Sequence, residues 1–182
     1  ATSADNNNDG FRDRPTGEQL NILNRFQYTN LEKGLVGFFD FNYVFDERVY
    51  GENEYIDGII FAENQNYWGG KTDSEILKIN FKFGYVDPMI TYRSLGLQFA
   101  YTGIDMGSSF GLRNHDTKLT SIYSNLVYNS IIGDTRSKIK TGISLTYDEY
   151  DELVFNNSLS LNNFDISRIE KSIGAYFEYN YD

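Results

Sequence analysis

The acidic stretch near the amino terminus contains the residues best suited to binding a metal ion. Oxygen-bearing side chains occupy positions 1, 3, 5 and 9 of a loop with glycine at position 6, which is the spacing of an EF-hand calcium loop. In that pattern the carbonyl at position 7 is also a ligand. The sequence therefore predicts a calcium site with these ligands: Asp5, Asn7, Asp9, the Phe11 carbonyl, Asp13 and, from just beyond the loop, Glu18.

The loop departs from the EF-hand pattern at position 12. Thr16 stands there instead of the bidentate glutamate, and Glu18 follows two residues later. No helical period flanks the loop, so we expect a lone site with a dissociation constant of about 10⁻⁴–10⁻³ M, as in extracellular modules. A solvated acidic loop without metal is the alternative.

Other candidate residues indicate binding and not catalysis. His115 is the only histidine, and nothing in the sequence positions a nucleophile beside it, so we predict no enzyme. The absence of cysteine excludes a disulfide scaffold and a thiolate metal site. Tyr55, Tyr67 and the sole tryptophan, Trp68, lie in one long connection, where they can stack on a small-molecule ligand or pack against neighbouring loops.

Charge and hydropathy narrow the class of protein. The formal net charge is −10, with 16 basic and 26 acidic residues, which argues against nucleic acid as a partner because phosphate neutralisation needs clustered Lys and Arg. No run approaches 18 apolar residues, so the sequence predicts no transmembrane helix. Aromatic residues make up 16% of a chain whose mean hydropathy is −0.49, which indicates apolar bands between polar segments.

Alternation of apolar and polar residues predicts β-strands as the elements that position these side chains. It gives seven strands, each longer than the about 5–6 residues typical of soluble sheets and long enough for the about 9–11 that a tilted spanning strand needs. We therefore expect an all-β, antiparallel fold with one face against lipid and one against a lumen. The lipid-facing set includes Ile79, Phe81, Phe99 and Leu145, and the lumen-facing set includes Lys78, Lys82, Gln98 and Lys140.

The connections favour a transmembrane β-barrel. Short connections are predicted at residues 30–34, 86–91 and 133–136, and long ones at 47–73, 103–117 and 151–169. Such alternation is typical of barrels with tight periplasmic turns and long extracellular loops. Residues 1–19 would then be an acidic extracellular loop, and residues 20–182 the barrel strands. Tyrosines near the short turns would form an aromatic girdle: Tyr28, Tyr85, Tyr92 and Tyr179.

Seven strands do not make an ordinary closed barrel. Single-chain bacterial barrels have an even strand number, and an open edge cannot face lipid because its backbone groups would lack hydrogen bonds. We expect an internal stretch of a longer barrel. The alternative is a small eight-stranded barrel with a further strand within residues 55–66, where Ile59, Ile60, Phe61 and Ala62 are apolar.

Two parts of the chain resemble TonB-dependent outer-membrane receptors of Bacteroidota. They are the opening Asp5–Asp13, followed by Gln19–Phe26, and the later segment Ser144–Glu152, followed by Gly174–Tyr179. The resemblance implies a barrel of about 22 strands in the bacterial outer membrane. It also implies a plug domain inside that barrel, TonB as a partner through other parts of the receptor, and active uptake of a scarce nutrient such as an iron chelate, cobalamin or glycan. The alternatives are a diffusion porin or small structural barrel, and a soluble β-rich binding module.

Overall fold

The computed structural model describes residues 5–55, 67–156 and 162–181, and these form a single antiparallel sheet. Its seven strands pair in chain order: β1 (Thr16–Asn30), β2 (Leu35–Gly51), β3 (Gly69–Val86), β4 (Ser94–Phe110), β5 (Arg113–Ile131), β6 (Ser137–Asn156) and β7 (Phe164–Tyr181). The all-β, antiparallel prediction is confirmed. The described sheet is open, with β1 and β7 at its edges.

The described residues contain no helix of the length and apolarity needed to cross a membrane. The further strand considered within residues 55–66 lies, beyond Tyr55, outside the described part of the chain.

The strands are longer than the sequence indicated. They contain 15 to 20 residues, and β1 begins at Thr16 instead of near Leu20. The long connection predicted at 103–117 is wrong, because β4 and β5 continue through it with pairs such as Ser108 with His115. They turn at Gly111, whose φ of 58° favours glycine. The polar composition there looked like a loop, but a strand beyond an apolar band can carry polar residues on both faces.

The register of the strands aligns apolar side chains into a band on one side of the sheet, which we call the apolar face. Its middle row runs across all seven strands as Phe26, Phe39, Phe81, Phe99, Ser124, Leu145 and Ile173. The Phe26 and Phe39 ring centroids are 6.2 Å apart. The predicted separation of Ile79, Phe81, Phe99 and Leu145 from Lys78, Lys82, Gln98 and Lys140 onto opposite faces is confirmed by the same pairings.

Tyrosines and charges bound this band. Near the connections 31–34, 87–93 and 132–136 the apolar face carries Tyr28, Tyr85, Tyr128 and Tyr179. At the other end of the sheet the strands are connected by residues 52–68, 111–112 and 157–163, and we call this end the long-loop rim. Towards it the apolar face carries Tyr43, Tyr101 and Tyr147. Tyr92, which was also predicted to belong to the aromatic girdle, lies in a turn. Its ring centroid is 5.9 Å from the ammonium of Lys138, a residue of the opposite, polar face. Along β3 the band runs from Leu77 to Tyr85, about 27 Å at 3.4 Å per residue.

The sheet has almost no core of its own. Val154, which is 6% exposed, is the one buried apolar side chain among the described residues. The chain exposes 12691 Å², whereas a compact monomer of 21.0 kDa exposes about 9000 Å². The apolar face therefore requires a covering that the described residues do not supply.

Candidate functional site at the long-loop rim

The predicted calcium loop is folded around the carboxylate of Asp5, which is 8% exposed. Its Oδ1 accepts the backbone N–H of Asn8 at 2.7 Å. Its Oδ2 accepts the N–H of Gly10 at 3.0 Å and the side-chain amide of Asn53 at 2.9 Å. Burial raises the pKa of Asp5, but the hydrogen bonds from Gly10, Asn53 and Asn8 stabilise its charged form and leave the pKa below the ordinary value.

Arg12 fastens the loop to the end of β2. Its guanidinium donates to the backbone carbonyls of Glu52, Asn53 and Tyr55, at 2.8 Å for Asn53 and 3.2 Å for Tyr55. Its backbone N–H donates to the Gly51 carbonyl at 2.9 Å. The sequence did not single out Arg12 or Asn53, because their contacts span 40 to 48 residues of chain, which no local pattern connects.

The other predicted ligands fall into two groups. Asn7 and Asp9 hydrogen-bond each other, with Asn7 Nδ2 3.0 Å from Asp9 Oδ2, and Asp9 Oδ1 accepts the N–H of Phe11 at 2.9 Å. Asp13 Oδ2 accepts the N–H of Asn6 at 2.6 Å, so Asp13 also joins the loop.

Glu18, by contrast, lies in β1, where it pairs with Glu47 of β2. Within the described ranges no group of three or more Asp, Glu or His side chains is placed to hold a metal ion. The calcium site therefore stays a prediction.

The three predicted aromatic residues come together beside the docked loop. The backbone N–H of Glu52 donates to the Trp68 carbonyl at 2.9 Å, and the backbone N–H of Trp68 donates to the Glu52 carboxylate at 3.0 Å. The Tyr55 ring covers Gly69 so closely that a methyl group there would overlap it. Tyr67 and Trp68 remain 44% and 55% exposed. This rim therefore presents aromatic surface beside carboxylates.

Tyr67 also interacts with an acidic side chain. Its hydroxyl hydrogen-bonds Glu54, and this bond together with the charge of Glu54 raises the pKa of Tyr67. The phenol is thereby kept neutral and oriented, which suits a hydrogen-bonding and stacking role.

His115 lies in β5 and not in a loop. Its Nε2 is 3.1 Å from the Thr117 hydroxyl and 3.9 Å from the Glu152 carboxylate. The nearby Ser108 hydroxyl donates to the His115 backbone carbonyl at 3.3 Å and not to its ring. These contacts do not form a nucleophile activated by a base.

The polar face carries an apolar row that the sequence did not reveal. The register places in one line across five strands Val44, Ile76, Ile104, Leu119 and Tyr150. On one side of this row the next residues of the same face are Asn42, Lys78, Thr102, Ser121 and Asp148. The Arg168 guanidinium extends the row, 4.7 Å from the Tyr150 ring centroid. On the polar face of its own strand each of the five has mostly polar neighbours, so the pairing of the strands is needed to reveal the row.

Comparison of the chain with protein-family models, with curated proteins and with solved structures gives no match. The assignment of function therefore rests on the two faces of the sheet, its edges and its rim.

Proposed function

We propose that this chain forms part of the wall of a β-barrel in the bacterial outer membrane, with the apolar face against lipid. The observation that carries the proposal is the apolar band on seven adjacent strands, bounded on both sides by tyrosines. Its length of about 27 Å along β3 corresponds, at the strand tilt of about 35–45° in outer-membrane barrels, to a height of about 19–22 Å, which is close to their apolar zone about 25 Å tall. Tyrosines at both margins agree with aromatic girdles at the two membrane interfaces.

The edges of the sheet indicate what completes the barrel. In an antiparallel sheet of seven strands, β1 and β7 run in the same direction. If β1 paired with β7 of the same chain, the two strands would be parallel. The same holds if β1 paired with β7 of a second copy rotated about the barrel axis, because that rotation does not reverse the strands. Antiparallel closure instead requires an odd number of further strands, and a barrel of about 22 strands would supply about 15. We therefore place this sheet beside other strands of a larger barrel.

The apolar row on the polar face favours a receptor with a plug over an open porin. Porin lumens are polar and filled with water, and an apolar row there would be left hydrated. Val44, Ile76, Ile104 and Leu119 are instead suited to contact a protein domain inside the barrel. Together with the sequence resemblance, this supports a TonB-dependent receptor for active uptake of a scarce nutrient. Tyr67 and Trp68 at the rim are then candidate contacts for that nutrient.

Site-specific fluorescence tests the barrel wall. In a full-length protein whose own tryptophans, Trp68 among them, are replaced by phenylalanine, Phe81→Trp should be quenched by lipids brominated on their acyl chains, because Phe81 lies in the middle row. Lys82→Trp, its neighbour on the polar face, is the matched control and should be quenched weakly. Equal quenching at both positions, or none at Phe81→Trp, would contradict the proposal.

Thiol labelling tests the receptor class. Ile76→Cys should react slowly with a water-soluble maleimide in the intact protein and rapidly after removal of the plug. Lys78→Cys, two residues away on the same face, controls for general access to the lumen. A rate at Ile76→Cys that does not depend on the plug would favour a porin.

A further inference from the structure

A cavity of about 330 Å³ opens on the apolar face where the apolar band ends towards the long-loop rim. Gly103 leaves this space, because it contributes no side chain between Leu77 and Thr120, its neighbours in the same row. The Tyr101 hydroxyl lies in front of Gly103, 2.9 Å from where its Cβ would be. The volume of the cavity is at the lower end of the range for small-molecule sites, about 300–1,000 Å³.

The cavity has an aromatic end and a charged end. Tyr43 and Tyr101 lie on the side nearer the middle of the band. The next row towards the rim contributes Glu75, Asp105 and Lys118. The Lys118 ammonium is 3.2 Å from the Asp105 carboxylate, and both side chains are more than half exposed. Exposed ion pairs of this kind contribute little to stability, so both groups can turn towards a ligand.

The charges at the rim end restrict the chemistry of the ligand. Two carboxylates and one ammonium lie there, so Glu75 and Asp105 would repel a headgroup that offers only a negative charge. A sugar headgroup instead offers hydroxyl donors, and hydrogen bonds to ionised acceptors are stronger than those to neutral ones. The tyrosines beside the carboxylates add flat apolar surface and polar hydroxyls, against which a sugar ring can pack.

We propose that this cavity binds one glycolipid, with its sugar headgroup at the charged end and an acyl chain along the apolar band. This inference rests on the proposed function, since it requires the apolar face to meet lipid and the long-loop rim to face the outside of the cell. The outer leaflet of such a membrane is built mainly from glycolipid, so this surface is in contact with molecules of that class. Sugar hydroxyls donate to Glu75 and Asp105. Lys118 binds a phosphate on the sugar, and the acyl chain packs against Leu77.

Lipid retention by the full-length protein tests the site. The protein is extracted from vesicles that hold equal amounts of diacylglucosamine 1-phosphate and phosphatidylglycerol, each of which has two acyl chains and one phosphate. Native mass spectrometry should then show one retained lipid. The glucosamine lipid should be preferred roughly three- to tenfold, the discrimination that one net hydrogen bond supports. Equal retention of the two lipids, or retention of neither, would overturn the proposal.

Charge variants identify the contacts. Glu75→Gln combined with Asp105→Asn should reduce the preference to less than about twofold, because amides bind hydroxyls more weakly than carboxylates do. Glu18→Gln combined with Glu47→Gln is the matched control and should keep the preference, since these carboxylates are neighbours on the same face outside the cavity. Lys118→Gln should lower the retention of both lipids without changing their ratio, because both contain a phosphate. A ratio that depends on Lys118 and not on the two carboxylates would contradict the sugar contact.

A glycine substitution tests whether the cavity itself holds the lipid. Gly103→Leu fills the cavity and should abolish retention, while the protein still folds, because only the end of the Tyr101 side chain stands in the way. Gly96→Leu is the matched control: it lies in the same strand on the polar face, with no atom within 4 Å of its Cβ position. It should retain lipid as the unaltered protein does. Retention that survives Gly103→Leu would place the lipid elsewhere, and if this variant does not fold, the charge variants decide.

The glycolipid site and the barrel wall fail separately. If Phe81→Trp is quenched by brominated lipid but retention shows no preference for the sugar headgroup, the glycolipid site is wrong and the barrel wall stands. If Phe81→Trp is not quenched, the barrel wall is wrong and the glycolipid site fails with it.

Discussion

Replacing Phe81 with arginine should strongly destabilise the protein in a membrane. Phe81 lies in the middle row, paired with Phe39 and Phe99, and it is four positions along β3 from each margin of the band, at Leu77 and Tyr85. At 3.4 Å per residue each margin is about 14 Å away. An arginine at the bilayer midplane of a barrel costs about 2–4 kcal/mol, which is about a 30- to 900-fold change in the folding equilibrium.

The measurement is urea-induced unfolding of the full-length protein in lipid vesicles, followed by gel mobility of the folded barrel. Lys82→Gln, on the opposite face one residue away, should change the free energy of unfolding by less than about 0.5 kcal/mol. Asp105→Arg, on the same face as Phe81 but in the row of Glu75 and Lys118 near the long-loop rim, should lower the free energy of unfolding by only about 0–1 kcal/mol. A cost for Phe81→Arg within about 0.5 kcal/mol of zero would mean that this residue faces water, because exposed surface substitutions have effects of that size.

Three further predictions concern the loop and the edges. Hydrogen bonds hold the pKa of Asp5 below its ordinary 3.8. The charged carboxylate therefore helps to dock the loop of residues 5–13 to the end of β2 at pH values above 3.8, and this help is lost as the pH falls through the lowered pKa. Asp5→Asn should remove it at neutral pH. Faster hydrogen exchange of residues 5–13 in Asp5→Asn, but not in an exposed control, Glu32→Gln, checks this, and unchanged exchange would refute it. Calcium in the millimolar range should slow proteolysis of the same loop, and identical cleavage with calcium and with chelator would leave only the hydrogen-bonded acidic loop. Cysteines at Leu20 in β1 and Phe177 in β7 should not form a disulfide with each other, within one chain or between copies; a high yield would contradict closure by other strands.

The strand pattern was predictable from the sequence because extended backbone places alternate side chains on opposite faces. Leu77 to Tyr85 show that period directly, and the structure keeps those residues on one face. The ends of the strands were less predictable, since Gly107, Ser108 and Ser109 have loop-like composition although they continue the pairing of β4 with β5. Hydrogen bonding between backbones does not depend on side-chain polarity, so composition alone misplaced that turn.

The rim was only partly predictable for a different reason. The acidic spacing from Asp5 to Asp13 predicted a calcium-binding loop, which stays a prediction, and the attachment of this loop through Arg12 to the carbonyls of Glu52 and Asn53 depends on a contact distant in sequence. Likewise, the apolar row from Val44 to Tyr150 appears only once the four registers that join β2 to β6 are known. Local patterns report which face a residue occupies, and not which residues of other strands lie beside it.

At one level of the sheet the alternation of apolar and polar residues along the strands fails. This failure distinguishes between the possible environments of the sheet. At Tyr43-Val44-Phe45 and at Ile76-Leu77 consecutive residues are apolar, so both faces of the sheet are apolar at the same height. A soluble sheet with one core needs apolar residues on one face only, and a wall between lipid and a water-filled pore likewise has one apolar face. Two apolar faces at one level require a covering on each side. The proposed barrel wall, with lipid on the apolar face and a plug domain against the row of the polar face, would satisfy both requirements.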